Sequence, residues 1–202
     1  MIGGWNPAGA GQALASVVAL AADGSGWSML APMAQARGGA AAALLPDGKV
    51  LVAGGRSTAE NDSALKTAEL YDPATNAWTA LPDMADERTD LVACVLPSGR
   101  VAVVGGVGSD GQNRKDGEAF DPAKMTWEPL PEMNEGRADP AAVAVAGGMV
   151  VAGKEAVGLF DEESRRWVTL PNPMAVQRFY TQLVSLSEST LQATAAGEAA
   201  GE

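Results

Sequence analysis

The sequence has no histidine and a single cysteine in 202 residues. The first absence removes the Ser-His-Asp and Cys-His catalytic arrangements and most zinc and copper sites, all of which draw on imidazole. The lone thiol, Cys94, permits no intrachain disulfide. It stands in Leu91-Val92-Ala93-Cys94-Val95-Leu96, where no cation activates a thiolate, so its expected role is that of a small buried hydrophobe. Basic residues are scarce: 14 Lys and Arg stand against 25 Asp and Glu, a net charge of −11. Phosphate binding needs clustered Lys and Arg, so a nucleic-acid partner is not expected, and a basic or neutral partner is modestly favoured. No apolar run reaches the length of a membrane span. Residues 13–22, ALASVVALAA, have the look of a leader's apolar region, but no Lys or Arg precedes them and they superpose on a strand of the repeat described next. A cytoplasmic protein is expected.

What the chain does have is glycine and proline, 24 and 12 residues, set between short apolar runs, which marks tight turns rather than disorder. The pattern is clearest in residues 37–84. Residues 40–45 form an apolar run ended by the turn Pro46-Asp47-Gly48, and residues 49–53 form a second, closed by Gly54-Gly55. Two apolar runs across such a turn predict a hairpin. Residues 56–65 are polar and lack a period, hence a loop. Residues 67–71 predict a third strand, turned by Asp72-Pro73, and residues 78–81 a fourth, stopped by Pro82. Four antiparallel strands in about fifty residues cannot bury both faces alone, so the unit needs copies of itself alongside.

The copies are present. Gly4, Gly55, Gly106 and Gly153 end second strands, at spacings of 51, 51 and 47. Trp27, Trp78, Trp127 and Trp167 open fourth strands, at 51, 49 and 40. Met33, Met84, Met133 and Met174 end the units, and Arg37, Arg88, Arg137 and Arg178 stand four residues after each. With the glycine pair, the Tyr71-Asp72-Pro73 and Phe120-Asp121-Pro122 turns and the tryptophan at a period near fifty, the chain resembles kelch repeats over nearly its whole length. That resemblance implies an all-β, kelch-type β-propeller of about four blade equivalents. The expected divisions within one array, 1–202, are a partial blade at 1–33 with strands two to four, blades at 34–84 and 85–133, a degenerate blade at 134–174, and a partial blade with an acidic tail at 175–202. The two partial blades are complementary and would close a ring of four. An incomplete or open propeller, completed by further chain or by self-association, is expected instead, because four blades demand a sharper turn between neighbours than kelch packing normally makes.

The recurring marks have physical reasons. The glycine pair falls where neighbouring blades crowd and unusual φ is needed. The tryptophan is a large apolar body whose N–H needs one partner, which suits a packing site between blades. The blade-opening arginines are expected to bond loop carbonyls. Chemistry beyond scaffold is sparse. The kelch-like galactose oxidase has a turn similar to Leu45-Pro46-Asp47-Gly48, yet its copper site requires histidine, and a kelch-type sialic acid epimerase also relies on one. The adjacent acids Asp86-Glu87 and Glu162-Glu163 read as solvated turn residues. The stretch 105–111, GGVGSDG, is followed by no helix and no Lys-Ser/Thr, so it is not a phosphate loop. No cofactor, no metal and no catalytic residue are expected.

Binding remains. The resemblance implies a ligand face built from the loops between second and third strands and between blades. The residue after the glycine pair is Trp5, Arg56 or Val107, and the second residue after the blade-opening arginine is Gly39, Asp90, Asp139 or Tyr180. The loops add Asn61 and Arg114. Trp5, Arg56, Asn61, Asp90, Arg114, Asp139 and Tyr180 are therefore the expected partner-binding residues of a non-catalytic protein-interaction module, a substrate adaptor or scaffold. The alternative is a kelch-type small-molecule enzyme, epimerase- or specifier-like, with charged groups converging in a central funnel.

Overall fold

The computed structural model describes residues 1–6, 8, 11–58, 64–153, 156–170 and 183. The described chain is all β. Strands β1 (Val17–Leu20) and β2 (Trp27–Leu30) form a two-stranded antiparallel sheet, to which Ile2 adds a bridge at Val17. Three four-stranded antiparallel meanders follow in chain order. The first is β3 (Ala41–Leu44), β4 (Val50–Ala53), β5 (Ala68–Asp72) and β6 (Ala77–Ala80). The second is β7 (Val92–Val95), β8 (Val101–Val104), β9 (Gly117–Asp121) and β10 (Thr126–Leu130). The third is β11 (Ala141–Val145), β12 (Gly148–Gly153), β13 (Ala156–Asp161) and β14 (Arg166–Thr169). The expected strands of residues 178–186 and 191–194 lie outside the described residues. No helix among them is long and apolar enough to cross a membrane.

Turn chemistry sets the hairpins. Gly48 and Gly99 sit at φ 85° and 84° in the equivalent turns Pro46-Asp47-Gly48 and Pro97-Ser98-Gly99, a region glycine enters without steric cost. In the third meander Gly153 pairs directly with Ala156, so its link between second and third strands is cut to residues 154 and 155.

The sheets stack through alternating side chains. Val101 and Val103 of β8 face the first meander, in a cluster with Leu51, Leu81, Met84 and Leu91. Ala102 and Val104 of the same strand face the third, against Met133, Met149, Val151 and Phe160. The period of two gives both faces of a central strand a partner. Val17 and Met33 bury against Val52 and Trp78 in the same way. Strands β3, β7 and β11 lie against one another at the inner edge of the array, and β6, β10 and β14 form the outer edge. This is the blade arrangement of a propeller.

The aromatic marks are the seams. Tyr71–Trp78, Phe120–Trp127 and Phe160–Trp167 are directly cross-strand, with centroids 5.0, 5.1 and 5.2 Å apart in tilted contact. Each indole N–H then donates to the unit before it: Trp78 to Ala31 O, Trp127 to Pro82 O and Trp167 to Pro131 O, each at 2.8 Å. Trp27, in the first unit, is instead largely exposed.

Candidate functional site

The inner strands are entered through left-handed corners. Gly39, Asp90 and Asp139 have φ of 64°, 54° and 47°, and the corners are linked: Asp90 N donates to Gly39 O at 2.8 Å, and Asp139 N to Asp90 O at 2.9 Å. Asp tolerates this region better than most residues but still pays for it, and such backbone concentrates where a surrounding structure holds it for a purpose. The belt runs around the mouth of the propeller's centre, on the end where β4 and β8 finish.

Arg56 follows the glycine pair of the first meander and is pinned at that end. Its backbone bridges Gly38, with N–H donating to Gly38 O at 2.7 Å and the carbonyl accepting from Gly38 N at 2.9 Å. Its Nη2 donates to Asp90 Oδ2 at 3.0 Å, and its guanidinium stands 5.7 Å over the Trp5 ring. The Trp5 ring in turn lies flat against Gly38, where any Cβ would collide with it. Trp5 is 37% exposed. Asp139 completes the group. Burial pushes its carboxyl pKa up, the neighbouring Asp90 charge adds to that, and Arg56 opposes it. Its carboxylate has no hydrogen bond or ion pair among the described residues.

The expected partner-binding residues thus divide. Trp5, Arg56, Asp90 and Asp139, from four successive units, meet at one mouth. Arg114 does not join them: its guanidinium is held by Asp86 at 2.8 Å and Asp116 at 2.9 Å, behind the second meander's loop. Asn61 and Tyr180 lie outside the described residues. The sequence reading missed Thr89. This residue is 2% exposed, and its hydroxyl has no hydrogen-bond partner among the described residues. Its position between the blade-opening Arg88 and Asp90 was the available signal.

Two blade-opening arginines bond carbonyls at the loop ends, as expected: Arg37 Nη1 donates to Gly54 O and Thr67 O, and Arg88 Nη1 to Gly105 O and Asp116 O; Arg137 Nη1 donates instead to the β12 strand carbonyl of Val151, and Arg178 lies outside the described residues. They also carry a pairing the sequence reading did not foresee. Glu69 Oε1 accepts from Arg37 Nε and Nη2 at 3.2 and 3.1 Å, while its Oε2 accepts from Ala34 N at 2.8 Å, across the seam. Glu118 also accepts from Ala85 N, but it meets Arg88 only as an ion pair at 3.5 Å, while Arg88 Nη2 donates to Asp116 Oδ2 at 2.6 Å. The third meander has Gly158 at this position, and the buried Arg137 guanidinium pairs instead with Glu135 at 3.7 Å, its Nε being without a partner among the described residues.

One expectation needs correcting. Glu162 is not a solvated turn acid. It is 12% exposed and receives Ser98 Oγ and Arg100 Nη2, at 2.5 and 2.8 Å, because the end of β13 packs on the β7–β8 turn of the neighbouring blade. This cluster belongs to the opposite end of the propeller. A cleft of about 460 Å³ lies there too, between Pro46, Asp47, Ser98, Arg100 and Pro122. A second, of about 390 Å³, flanks Arg37 and Glu69. Neither includes the mouth residues. Among the described residues no three His, Cys, Asp or Glu side chains group as a metal site.

Comparison with known proteins agrees with this geometry. Residues 37–85 and 91–134 match the kelch motif. An F-box/kelch-repeat protein of Arabidopsis thaliana is 35% identical over 115 residues, 56% of this chain and 27% of its own length. The human Kelch-like protein 33 is 37% identical over 86 residues, 43% of this chain and 15% of its own. The chain therefore spans less than a third of the length of either relative. The solved structure of YjhT shares the fold, with a TM-score of 0.67 at 21% identity over 86% of this chain and 63% of that one.

Proposed function

The chain belongs to the kelch-repeat family, and from that premise we propose that it is a non-catalytic protein-interaction module, an adaptor or scaffold working in the cytoplasm, that holds its partner on the mouth end of the propeller. One observation carries the reading: Trp5, Arg56, Asp90 and Asp139, far apart in sequence and contributed by four units, are held together there by backbone bridges. A rigid scaffold presenting an aromatic, a cation and acids from separate loops is a recognition surface. The relatives named for F-box/kelch and Kelch-like proteins support the same class.

A random peptide library panned on the immobilised chain tests it. Enriched peptides should bind the Trp5→Ala chain at least tenfold more weakly and an Arg100→Ala chain, altered at the opposite end, undiminished. Peptides indifferent to Trp5→Ala but lost with Arg100→Ala would place the surface on the wrong end.

A second reading, small-molecule catalysis, has one observation in its favour: the carboxyl of Asp139 is pushed up beside a second acid, the pattern of a general acid paired with a base. It predicts a saturable small ligand at the mouth whose turnover disappears in Asp139→Asn. A ligand that binds without being turned over leaves the docking reading in place.

A further inference from the structure

Beyond the docking reading and independent of it, we propose that the outward face of the β1–β2 sheet is where two copies of this chain pair about a two-fold axis. The register builds the face. Val18 stands opposite Met29 and Leu20 opposite Trp27, and residues two apart on a strand share a side, so the four side chains project together. The other side of the same sheet, with Val17 and Leu30, is buried against Val52 and Trp78 of the first meander. The outward side is open: Leu20 is 52% exposed, Trp27 60% and Met29 70%. Single exposed apolar side chains are ordinary, but a contiguous group of them marks a contact.

The repeat shows that this face departs from a blade seam. In the three meanders the same side of the third and fourth strands is covered by the preceding unit. The pairs equivalent to Val18 and Met29 are Glu69 with Ala80, Glu118 with Pro129, and Gly158 with Thr169. Glu69 and Glu118 accept from Ala34 N and Ala85 N in the unit before them. The Val18 side chain can accept no such bond, and Met29 is a long thioether where the meanders have alanine, proline or threonine. None of the three pairs joins two large apolar side chains, as Val18 and Met29 do.

Charge names the occupant. Residues 1–36 contain one acid, Asp23, and no Lys or Arg, while the other 24 acids and all 14 basic residues lie in 37–202. Two copies, each at −11, repel one another over most of their surfaces, and the first unit is where they can meet without burying like charges. A two-fold contact sets one patch against itself, so an uncharged apolar face is its own complement. Aromatic residues and methionine are the side chains that protein interfaces enrich. Two strands of four residues make a small contact, in the size class of weak, reversible pairs.

Sedimentation velocity of the full chain, from about 2 to about 200 μM, is the test. The mass should rise toward two chains with a micromolar Kd. Raising salt from about 50 to about 500 mM should tighten the pair severalfold, since it screens repulsion and spares apolar contact. Trp27→Glu and Met29→Lys should each weaken pairing about tenfold or more, with the urea midpoint of a dilute sample close to wild type. Should Trp27→Glu fail to fold, Met29→Lys decides alone. A chain that stays monomeric throughout overturns the proposal, as does pairing that both variants leave intact or that loosens with salt. Species that grow past two copies would show blades stacking head to tail and overturn the two-fold contact. Peptide binding at the mouth, measured on Met29→Lys, should match wild type, so that either reading can fail without the other.

Discussion

At Asp139 stability and recognition pull in opposite directions. Burial and the Asp90 charge hold its carboxyl pKa above the ordinary value, so the native state keeps that proton to a higher pH than the unfolded chain does. The sign follows: below the ordinary carboxylate pKa the group costs nothing, and the native state loses stability as pH rises through the raised pKa. Asp139→Asn should therefore unfold at a higher urea midpoint than wild type at pH 7, and the gap should close toward pH 3. Asp116 runs the other way. Burial alone would raise its pKa, but the hydrogen bond from Arg114 and the charge of Arg88 outweigh it and hold the pKa down. Its contribution is present at neutral pH and disappears as pH falls through its depressed pKa, so Asp116→Asn should be destabilising at pH 7 and closer to neutral in acid. Cys94 is the quiet residue that its neighbours in the sequence promised: burial pushes its pKa up, and it has no activating cation.

Among the elements, three copies of one unit form a natural substitution experiment. Arg37 and Arg137 open equivalent meanders and are both buried, but Arg37 has a hydrogen-bonded carboxylate whereas Arg137 has only Glu135 at 3.7 Å, with Gly158 where Glu69 would be. Removing one partner of a well-bonded buried pair strands the other charge, which costs about 3–5 kcal/mol, whereas replacing a weakly paired buried ion by an apolar side chain of similar size can be neutral or stabilising. Arg37→Met should thus lose about 3 kcal/mol or more in urea unfolding. Arg137→Met should stay within about 1 kcal/mol of wild type, the hydrogen bond to Val151 O being its main loss. The tryptophans make a second pair. Trp127 donates across a seam to Pro82 O and packs on Phe120, while Trp27 is 60% exposed. Trp127→Phe should cost about 1–2 kcal/mol for the hydrogen bond and lost contact, and Trp27→Phe close to none, by the same measurement.

These elements also show what a sequence can and cannot disclose. The strands of residues 37–84 were legible to within a residue or two, because Pro46-Asp47-Gly48 fixes the hairpin locally, whereas residues 101–104, apolar throughout, did not disclose which side chain meets which neighbour. The rim positions Arg56, Asp90 and Asp139 came from the kelch resemblance, position by position. Their union did not, since Arg56 finds Asp90 across a seam between blades. Glu69 and Glu118 left a readable trace, a glutamate two residues before each strand-three aromatic, but that trace named no partner. Glu162 was misread because adjacency in sequence said nothing of the neighbouring turn that covers it. The position of Thr89 between Arg88 and Asp90 was readable, but that its hydroxyl is enclosed without a partner is a property of the packed structure.

The whole molecule ties these local facts to one mode of binding. The seams repeat a rigid register from unit to unit, so the corners before β3, β7 and β11 fall on one belt rather than on three independent loops. Rigid presentation spends little ordering entropy on association, which is how a small mouth gains affinity for a single anchor. The acidic surface acts at longer range. A net charge of −11 steers a basic partner toward the molecule and is screened over about 8 Å at physiological salt, whereas the partly buried mouth is screened less. The two contributions separate kinetically. Raising salt from 50 to 500 mM should slow association of a basic peptide selected for the mouth severalfold and leave its dissociation rate nearly constant, read by surface plasmon resonance. Asp139→Asn should do the reverse, raising the dissociation rate severalfold while the salt slope of association barely moves, because it removes one of many surface charges but one of the few groups at the mouth. An association rate indifferent to salt would show that the acidic surface has no part in capture, and would leave the mouth to do the work alone.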